Sequence, residues 1–409
     1  MTEEDYPGYC SERTLSYGRQ KSVIRQLFEY GKKTAGEMGP DQVFDFSIGN
    51  PSVPPPRQVD EAFCSLLEKE APLALHGYTS APGDPAVRQV IAAELNREYG
   101  TAYDGNNLYL TCGAAAALSS TFRALTLSGE ENEIIAIAPY FPEYKCFVEG
   151  HGARLVPVLS SLPGLGLPLE AIENAITSST RAIIINSPNN PSGKIYQVSE
   201  LQALGALLEE KSRLFGRPLF IVSDEPYREL VYDGRKTPFI PLIYPNTVVC
   251  YSYSKALSMP GERIGYVLVP TGLDSWRDLY DAIAGAARAL GYVCAPSLIQ
   301  RVVGLCARVK PDMTTYDLNR SILYEGLSSL GYRCIEPEGA FYLFVEAPGG
   351  NAEVFSDFAR DNFQLLLVPS ESFGFPGFLR ISYCVSTERI RSSLPLFEEC
   401  LRKFTEAAL

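Results

Sequence analysis

The stretch "VVCYSYSKALSMPGERIGY", residues 248–266, decides how the rest of the sequence is interpreted. Its apolar start, Val248 to Cys250, is typical of a buried strand, and Lys255 follows after a Ser-Tyr-Ser triplet. A desolvated ammonium is costly unless it is paired. Lys255 therefore either reaches water or a carboxylate, or it has a pKa lowered by burial and serves as a nucleophilic amine that forms a Schiff base.

Length and composition indicate an ordinary globular protein. The chain has 409 residues, of which 46% are hydrophobic and 21% are charged, so we expect two domains. The net charge of -12 argues against a nucleic-acid partner. The acidic start "MTEEDYPGYCSER" lacks the apolar stretch of a signal peptide, and no run is long enough to cross a membrane, so we expect a cytoplasmic protein without a membrane partner. With two histidines and no paired cysteine spacing, we expect no metal site.

Strand-like and helical patterns alternate between about residues 75 and 270. The strand-like runs are almost entirely apolar, which is typical of strands buried on both faces. Such alternation predicts an α/β fold with a mostly parallel sheet. One intervening helix, "SELQALGALLEEKSRLFG", is predicted to begin with a capping box of Ser199 and Gln202. The predicted strands are residues 108–112, 134–138, 155–158, 182–186, 219–223, 248–253 and 266–269.

The C-terminal part has a different pattern. Strand-like runs at 340–345, 364–368 and 379–385 lie among helical patterns, which predicts a smaller α+β domain. Two long helical segments around 272–330 are expected to join the domains. We predict an N-terminal arm that packs partly on the small domain over residues 1–50, a large domain over 51–300 and the small domain over 301–409.

Polar or small residues follow five of the predicted strands. In chain order the segments are "GAAAAL", "PYFPEY", "SPNNPSG", "DEPY" and "SK". Ligands of open α/β sheets bind outside the carboxyl ends of the strands. We therefore expect these five strand ends to converge on one pocket.

The segment "TCGAAAAL" has the features of an anion site. A helix that begins there would expose the backbone N–H groups of Gly113, Ala114 and Ala115, and small side chains would let a phosphate approach. Tight packing of helix on sheet is the structural alternative. Ser252, Ser254 and Arg263 could bind the same phosphate, or could belong to a polar loop with a surface arginine.

Three further strand ends carry groups that suit a flat, charged ring. Asp224 needs a positive partner if it is buried, for which a protonated ring nitrogen is suitable, although a helix N-cap is an alternative. Asn190 lies in a turn and could donate to a ligand oxygen, and Phe141 could stack on a ring or belong to the core. Together these are the parts that hold pyridoxal 5'-phosphate, which favours the nucleophilic interpretation of Lys255.

The sequence resembles the fold-type I, pyridoxal-phosphate-dependent aminotransferases of class I/II, and most of all their bacterial aspartate-aminotransferase-like branch. The most specific signature is Ser-x-Ser-Lys followed by Pro-Gly-x-Arg-x-Gly, here Ser252 to Gly265. The segments "SDEPYRELVYDG" and "NNPSG" match in order and separation. The resemblance covers nearly the whole chain and implies a large domain with a mostly parallel seven-stranded sheet plus a smaller α+β domain.

The resemblance also implies roles for single residues. Lys255 would hold the cofactor covalently, and Asp224 would pair with the protonated pyridine nitrogen. Tyr227 and Asn190 would hydrogen-bond the ring 3-oxygen, and Phe141 would stack on the ring. The phosphate would be held by Gly113, Ala114, Ala115, Ser252 and Arg263, with Ser254 as a weaker candidate.

Three other segments resemble substrate and subunit contacts. In "FSIGNP" the backbone N–H of Gly49 would meet the substrate α-carboxylate, with Asn190 nearby. In "FLRISY" Arg380 would bind that carboxylate bidentately. In "HGYTSAPGDPAVR" Tyr78 would reach the phosphate of the neighbouring subunit, which implies a homodimer with shared active sites.

One departure from the family pattern concerns substrate choice. Some bacterial aspartate-type members carry a lysine in the phosphate turn that helps to select acidic substrates, whereas this chain has Ala115 at the matching place. Selectivity for the side chain would then come from elsewhere, and Ser22 and Arg25 in the N-terminal stretch are candidates.

The implied function is ping-pong transamination. An L-amino acid, with the aspartate type favoured, would give its amino group to a 2-oxo acid such as 2-oxoglutarate, with Lys255 as general base. The alternatives are a C–S β-lyase or an alanine or aromatic amino acid aminotransferase on the same scaffold. We expect no regulator with a DNA-binding domain on this scaffold, because the net charge of -12 disfavours DNA. We also expect no nicotinamide oxidoreductase, because no strand-linked G-x-G-x-x-G is present.

Overall fold

The computed structural model describes residues 8–19 and 22–407 of the chain. Residues 1–7, which supply much of the acidic N-terminal pattern, lie outside the described residues. Within the described ranges, no helix is both long enough and apolar enough to cross a membrane.

The helices within these ranges are distributed along the whole chain. Those of the first half are α1 Glu12–Arg19, α2 Val23–Met38, α3 Arg57–Lys69, α4 Pro72–His76, α5 Pro85–Tyr99, α6 Ala114–Leu125, α7 Tyr144–Glu149 and α8 Leu169–Ala175. Those of the second half are α9 Val198–Phe215, α10 Tyr253–Ala256, α11 Trp276–Leu290, α12 Ser297–Leu305, α13 Thr314–Ser329, α14 Ala352–Phe363 and α15 Thr387–Ala407.

The strands form one large sheet and two small ones. They are β1 Phe44–Asp45, β2 Leu108–Thr111, β3 Glu133–Ala138, β4 Arg154–Leu159, β5 Thr180–Asn186, β6 Phe220–Asp224, β7 Thr247–Ser252, β8 Gly265–Leu268, β9 Cys334–Ile335, β10 Tyr342–Glu346, β11 Leu365–Leu366, β12 Val368–Pro369 and β13 Phe378–Ser382. The large sheet has seven strands in the order β2-β8-β7-β6-β5-β3-β4.

The large sheet confirms the predicted α/β fold class. Strands β4, β3, β5, β6 and β7 pair in parallel, and only β8 runs antiparallel, to both β7 and β2. Every residue of β3, β5 and β7 is buried, as the continuous apolar runs predicted. The carboxyl ends of the parallel strands therefore lie along one edge of the sheet, where the polar segments of the sequence follow them.

The C-terminal strands form a separate, four-stranded antiparallel sheet in the order β12-β13-β10-β9. The N-terminal region contributes to this part of the molecule, because β1 pairs in parallel with β11 and the ring of Phe46 lies 5.9 Å from that of Phe397. These contacts support the division into residues 1–50, 51–300 and 301–409, which stays a proposal.

The predicted capping box of α9 is wrong, because the observed one lies two residues earlier in the chain. The helix begins with Gln197 as N-cap, and its capping box pairs Gln197 with Glu200 rather than Ser199 with Gln202. Glu200 accepts a hydrogen bond of 2.8 Å from the Gln197 N–H and one of 2.9 Å from the Leu167 N–H. Its carboxylate therefore ties the preceding loop to the helix start, a long-range contact that a local pattern does not reveal.

Three other predictions of element boundaries are wrong. Residues 272–330 form the three helices α11, α12 and α13 instead of two, because Gly291, at φ 82°, ends α11 and Pro296 precedes α12. The run 364–368 forms two short strands in different sheets, and Gln364 belongs to neither, because it adopts a left-handed conformation as the C-cap of α14. Tyr253, placed in a strand by its sequence, begins α10.

The observed cap gives a stability prediction. Glu200→Ala should lower the free energy of unfolding by about 1–2 kcal/mol, because it leaves two backbone N–H groups without their acceptor. The control Ser199→Ala should change it by less than about 0.5 kcal/mol, because Ser199 is exposed. Urea denaturation of both variants measures the difference, and a larger loss for Ser199→Ala would contradict the observed cap.

Candidate active site

A cavity of about 320 Å³ lies at the carboxyl edge of the large sheet. Residues from all five strand-end segments line it, together with Gly49 from the N-terminal region and Arg380 from β13. Besides Tyr78, thirteen residues were predicted to contact cofactor or substrate within one chain. Gly113 does not line the cavity. The other twelve do, and they are Gly49, Ala114, Ala115, Phe141, Asn190, Asp224, Tyr227, Ser252, Ser254, Lys255, Arg263 and Arg380.

Lys255 lies in the short helix α10, directly after β7. Its Nζ donates a hydrogen bond of 2.6 Å to the Gly49 carbonyl oxygen and lies 5.4 Å from the centre of the Phe341 ring. Burial lowers the pKa of its amine to about 8, and the nearby charges of Arg263 and Arg380 act in the same direction. A sizeable fraction of the amine is therefore neutral, and so nucleophilic, near physiological pH.

Asp224 ends β6 and is almost fully buried, with 4% of its surface exposed. Its Oδ2 accepts a hydrogen bond of 2.5 Å from the Tyr144 hydroxyl and one of 3.4 Å from the Asn186 side-chain amide. Its Oδ1 is buried without a hydrogen-bond partner. Burial raises the pKa of the carboxyl group to about 7, while the bond from Tyr144 lowers it. The site thus offers an unsatisfied acceptor to a positively charged donor.

A pair of buried tyrosines lies beside the amine. The hydroxyls of Tyr227 and Tyr342 are 2.8 Å apart, and their rings meet edge to face. Gly49 packs directly against this pair, because a Cβ at that position would lie 2.0 Å from the Tyr342 hydroxyl oxygen. Only glycine fits this close approach, which brings the Gly49 carbonyl within reach of Lys255.

Arg380 is the largest fully buried polar side chain of the site, with 2% of its surface exposed. Its guanidinium donates to the Ser47 carbonyl and to the Asn190 Oδ1 atom, the latter at 3.2 Å. It lies over the Tyr342 ring, and burial lowers the pKa of the guanidinium. Its Nε has no hydrogen-bond partner, so an anion that enters the cavity would meet a desolvated, partly unsatisfied cation.

The start of α6 forms a small-residue pocket beside Arg263. The first bond of the helix runs from the Ala117 N–H to the Gly113 carbonyl, so the N–H groups of Ala114 and Ala115 precede it. The Arg263 guanidinium donates to the Pro260 carbonyl at 2.8 Å and to the Ser254 hydroxyl at 3.4 Å. This combination of helix N-terminus and guanidinium suits an anion.

The prediction that the Gly113 N–H is a free donor is wrong. That N–H donates to the Thr111 carbonyl at 2.8 Å. Gly113 adopts φ 80°, and a Cβ there would lie 2.8 Å from the Arg263 guanidinium. The glycine therefore leaves space for the arginine instead of contributing an N–H group.

The remaining predicted residues are placed as follows. Phe141 lines the cavity and meets the Tyr144 ring edge to face at 5.7 Å. Tyr78 is 99% exposed and lies outside the cavity of its own chain. Ser22 and Arg25 do not line the cavity: the Ser22 hydroxyl caps α2 and Arg25 is exposed, whereas Ile24 between them does line it.

Sequence reasoning missed three polar groups of the site. Tyr144 belongs to the segment "PYFPEY", three residues after Phe141, and this helical spacing was the available signal. Asn186 is the last residue of the predicted strand 182–186 and thus carried a strand-end signal. Tyr342 was hidden within an apolar run, since alternation does not tell which side of β10 faces the cavity.

Comparison with known proteins places the chain in a family. The family model described as Aminotransferase class I and II matches residues 41–394. The chain belongs to this family. An aspartate/prephenate aminotransferase of Thermus thermophilus is 29% identical over 371 residues, which are 87% of this chain and 90% of that protein.

Solved structures agree with this placement. An aminotransferase from Eubacterium rectale superposes with a TM-score of 0.94 at 51% identity, covering 97% of this chain and 99% of that chain. The aspartate aminotransferase of Thermus thermophilus with maleate gives 0.83 at 26% identity, covering 96% and 99%. The chain is therefore a fold-type I, pyridoxal-phosphate-dependent transaminase.

The cavity fits pyridoxal phosphate on its own geometry. The orphaned Oδ1 of Asp224 provides an acceptor for a protonated ring nitrogen. The start of α6 with Arg263 provides an anion site, and space there depends on the missing side chain of Gly113. Lys255 offers an amine with a pKa of about 8 in the same cavity.

The bond between Tyr144 and Asp224 gives a testable expectation. Tyr144→Phe should weaken cofactor binding by roughly tenfold, because loss of a hydrogen bond to a charged group costs about 1.5 kcal/mol and raises the pKa of the carboxyl group. Titration of apoenzyme with pyridoxal phosphate measures this. Tyr140→Phe is the matched control, since its ring stacks on Tyr144 with centroids 6.4 Å apart. Equal weakening in both variants would contradict the assigned contact.

Proposed function

We propose that the protein transfers the amino group of an L-amino acid to a 2-oxo acid by a ping-pong mechanism, with 2-oxoglutarate as the first candidate acceptor. The observation that carries this proposal is the convergence of Lys255, Asp224 and Arg380 on one cavity. The resemblance favours an aspartate-type donor, and one relative is described as an aspartate/prephenate aminotransferase. When bound, the cofactor supplies a carbonyl that condenses with amines and a ring that withdraws electrons.

In this proposal the cofactor is held at both of its ends. Asp224 keeps the ring nitrogen protonated through its free Oδ1, and Tyr144 fixes the carboxylate from the other side. Tyr227 and Asn190 hydrogen-bond the ring oxygen, and Phe141 stacks on the ring. The phosphate is bound by Ala114, Ala115, Ser252, Ser254 and Arg263. Gly113 contributes the open space there, not a hydrogen bond.

Lys255 carries the chemistry of the proposed reaction. Its amine would bind the cofactor in the resting enzyme and, once free, would act as the general base that takes and holds the proton from the substrate Cα. Its pKa of about 8 suits both directions of transfer near neutral pH. Because the Gly49 carbonyl accepts a hydrogen bond from Nζ at 2.6 Å, the N-terminal loop positions the amine.

Arg380 would orient the substrate. Its guanidinium binds the α-carboxylate with help from the Asn190 side chain, and the Gly49 N–H completes the contact. This fixes the direction of the Cα–H bond relative to Lys255, a positioning effect that raises the rate of proton transfer. Closure of the C-terminal region over the substrate would exclude water.

We also propose that the active form is a homodimer. Tyr78 is 99% exposed in the single chain, as is expected if its hydroxyl reaches the phosphate bound by the neighbouring subunit. Sedimentation equilibrium should give twice the chain mass of 44.9 kDa, and a single-chain mass for the active enzyme would contradict the dimer.

A cytoplasmic location is likewise proposed, and cell fractionation tests it.

Loss of Lys255 tests the reaction. Lys255→Ala should lower turnover by about 10³-fold or more, because it removes the general base. Arginine keeps the positive charge but stays protonated and cannot accept the proton, so Lys255→Arg should fail equally. Circular dichroism checks that both variants fold. Turnover within tenfold of the wild type in a folded variant would contradict the proposal.

A C–S β-lyase, the alternative activity, would use the same cofactor contacts. The two activities are therefore distinguished by their products. Single amino acids are added to the holoenzyme without an acceptor. A transaminase should bleach the visible absorption of the bound cofactor, and 2-oxoglutarate should restore it. Steady release of pyruvate and ammonia with an unchanged absorption band would instead establish the lyase.

A further inference from the structure

The turn that follows β1 makes two backbone contacts with the candidate site. The Ser47 carbonyl accepts a hydrogen bond from Nη2 of Arg380, and the Gly49 carbonyl accepts one of 2.6 Å from Nζ of Lys255. The turn therefore contacts both groups that the proposed function, on which this inference rests, assigns to the substrate. Any group that fixes the turn also fixes the direction of these carbonyls.

The side chain of Asp45 closes this turn. Its Oδ1 accepts a hydrogen bond of 2.8 Å from the Ser47 N–H and one of 2.6 Å from the Ser47 hydroxyl. A carboxylate that accepts from the N–H two residues further on forms an Asx turn, in which a side chain takes the place of a backbone acceptor. Ser47 is completely buried, so water does not compete for its N–H and hydroxyl groups.

The backbone next to Asp45 is anchored independently of this side chain. The Phe46 N–H donates to the Leu366 carbonyl at 3.1 Å, and the Phe46 carbonyl accepts from the Ser382 N–H at 2.9 Å. Ser382 lies on β13, two residues after Arg380. Asp45 thus projects from a fixed backbone, and its two hydrogen bonds set the orientation of the turn that comes next.

Asp45 also interacts with Arg380 through charge. The carboxylate is half-buried beside α2, and a Cβ at Gly31 of this helix would lie 3.2 Å from the Asp45 Oδ2 atom. Burial raises the pKa of the Asp45 carboxyl group, while the bonds from Ser47 and the positive charge of Arg380 lower it. The two charges therefore stabilise each other across Ser47.

We propose that Asp45 is a positioning residue for the Arg380 guanidinium. By holding the Ser47 carbonyl in place, it directs the guanidinium toward the α-carboxylate of the substrate. Every amino acid has this carboxylate, whatever its side chain. Loss of Asp45 should therefore weaken the binding of all amino acids by the same factor and leave the binding of the cofactor unchanged.

The test is a titration of holoenzyme, followed by the visible absorption of the bound cofactor. Asp45→Ala should raise the apparent dissociation constants of aspartate, alanine and phenylalanine by one common factor of at least about tenfold, because a displaced guanidinium loses its bidentate contact. Propylamine has the amino group but no carboxylate, and its dissociation constant should not change. An equal loss for propylamine, or no loss for the amino acids, would overturn the proposal. If no amino acid changes the absorption of the wild type, the proposed function itself fails.

Two further variants separate the hydrogen bonds of Asp45 from a general effect of substitution. Asp45→Asn keeps an oxygen that can accept the same two bonds, so its amino-acid dissociation constants should stay within about threefold of the wild type. Asp41→Ala is the matched control, because Asp41 is exposed in the same segment and contacts Arg389 instead. A loss in either variant as large as that in Asp45→Ala would contradict the assigned role.

A double variant tests whether Asp45 acts through the guanidinium. In an Arg380→Ala background, Asp45→Ala should add no further weakening, and losses that simply add would show that the two residues act separately. If Asp45→Ala does not fold, Ser47→Ala decides, since it removes one of the two bonds to the carboxylate. It should weaken amino-acid binding by about threefold, and unchanged binding would overturn the proposal.

Discussion

The structure depends on the burial of one amine at the carboxyl edge of the large sheet. Lys255 follows β7, whose residues are all buried, and no carboxylate pairs with it among the contacts that the structure describes. Desolvation favours the neutral form and lowers its pKa to about 8. In a solvated loop the same side chain would be an ordinary surface charge. The sheet thus converts a lysine into a nucleophile by position.

Two neighbouring charged groups, Asp224 and Arg380, are buried in the same cavity. Asp224 is held at the end of the adjacent strand with one oxygen bonded to Tyr144 and the other free. Arg380 reaches the cavity from the small antiparallel sheet and retains an unpartnered Nε. Each buried charge lacks part of its hydrogen bonding, and cofactor and substrate would complete it.

Much of this arrangement could be predicted from the sequence. Buried parallel strands have a local signature, so their order along the chain and the polar residues at their ends were visible in segments such as "SDEPY" and "YSYSK". Two contacts could not be predicted, one within a tight turn and one between distant segments. The Gly113 N–H donates to the Thr111 carbonyl two residues before it, and Glu200 caps α9 while it accepts a hydrogen bond from the Leu167 N–H in the preceding loop. Neither follows from spacing alone.

The most direct test concerns the amine itself. Holoenzyme is treated with borohydride, digested, and searched by mass spectrometry for the peptide that carries reduced cofactor. Labelling should fall on Lys255 and should disappear in Lys255→Ala. Labelling of a different lysine, or none in an active enzyme, would contradict the assignment on which the cavity, its charges and the proposed reaction all depend.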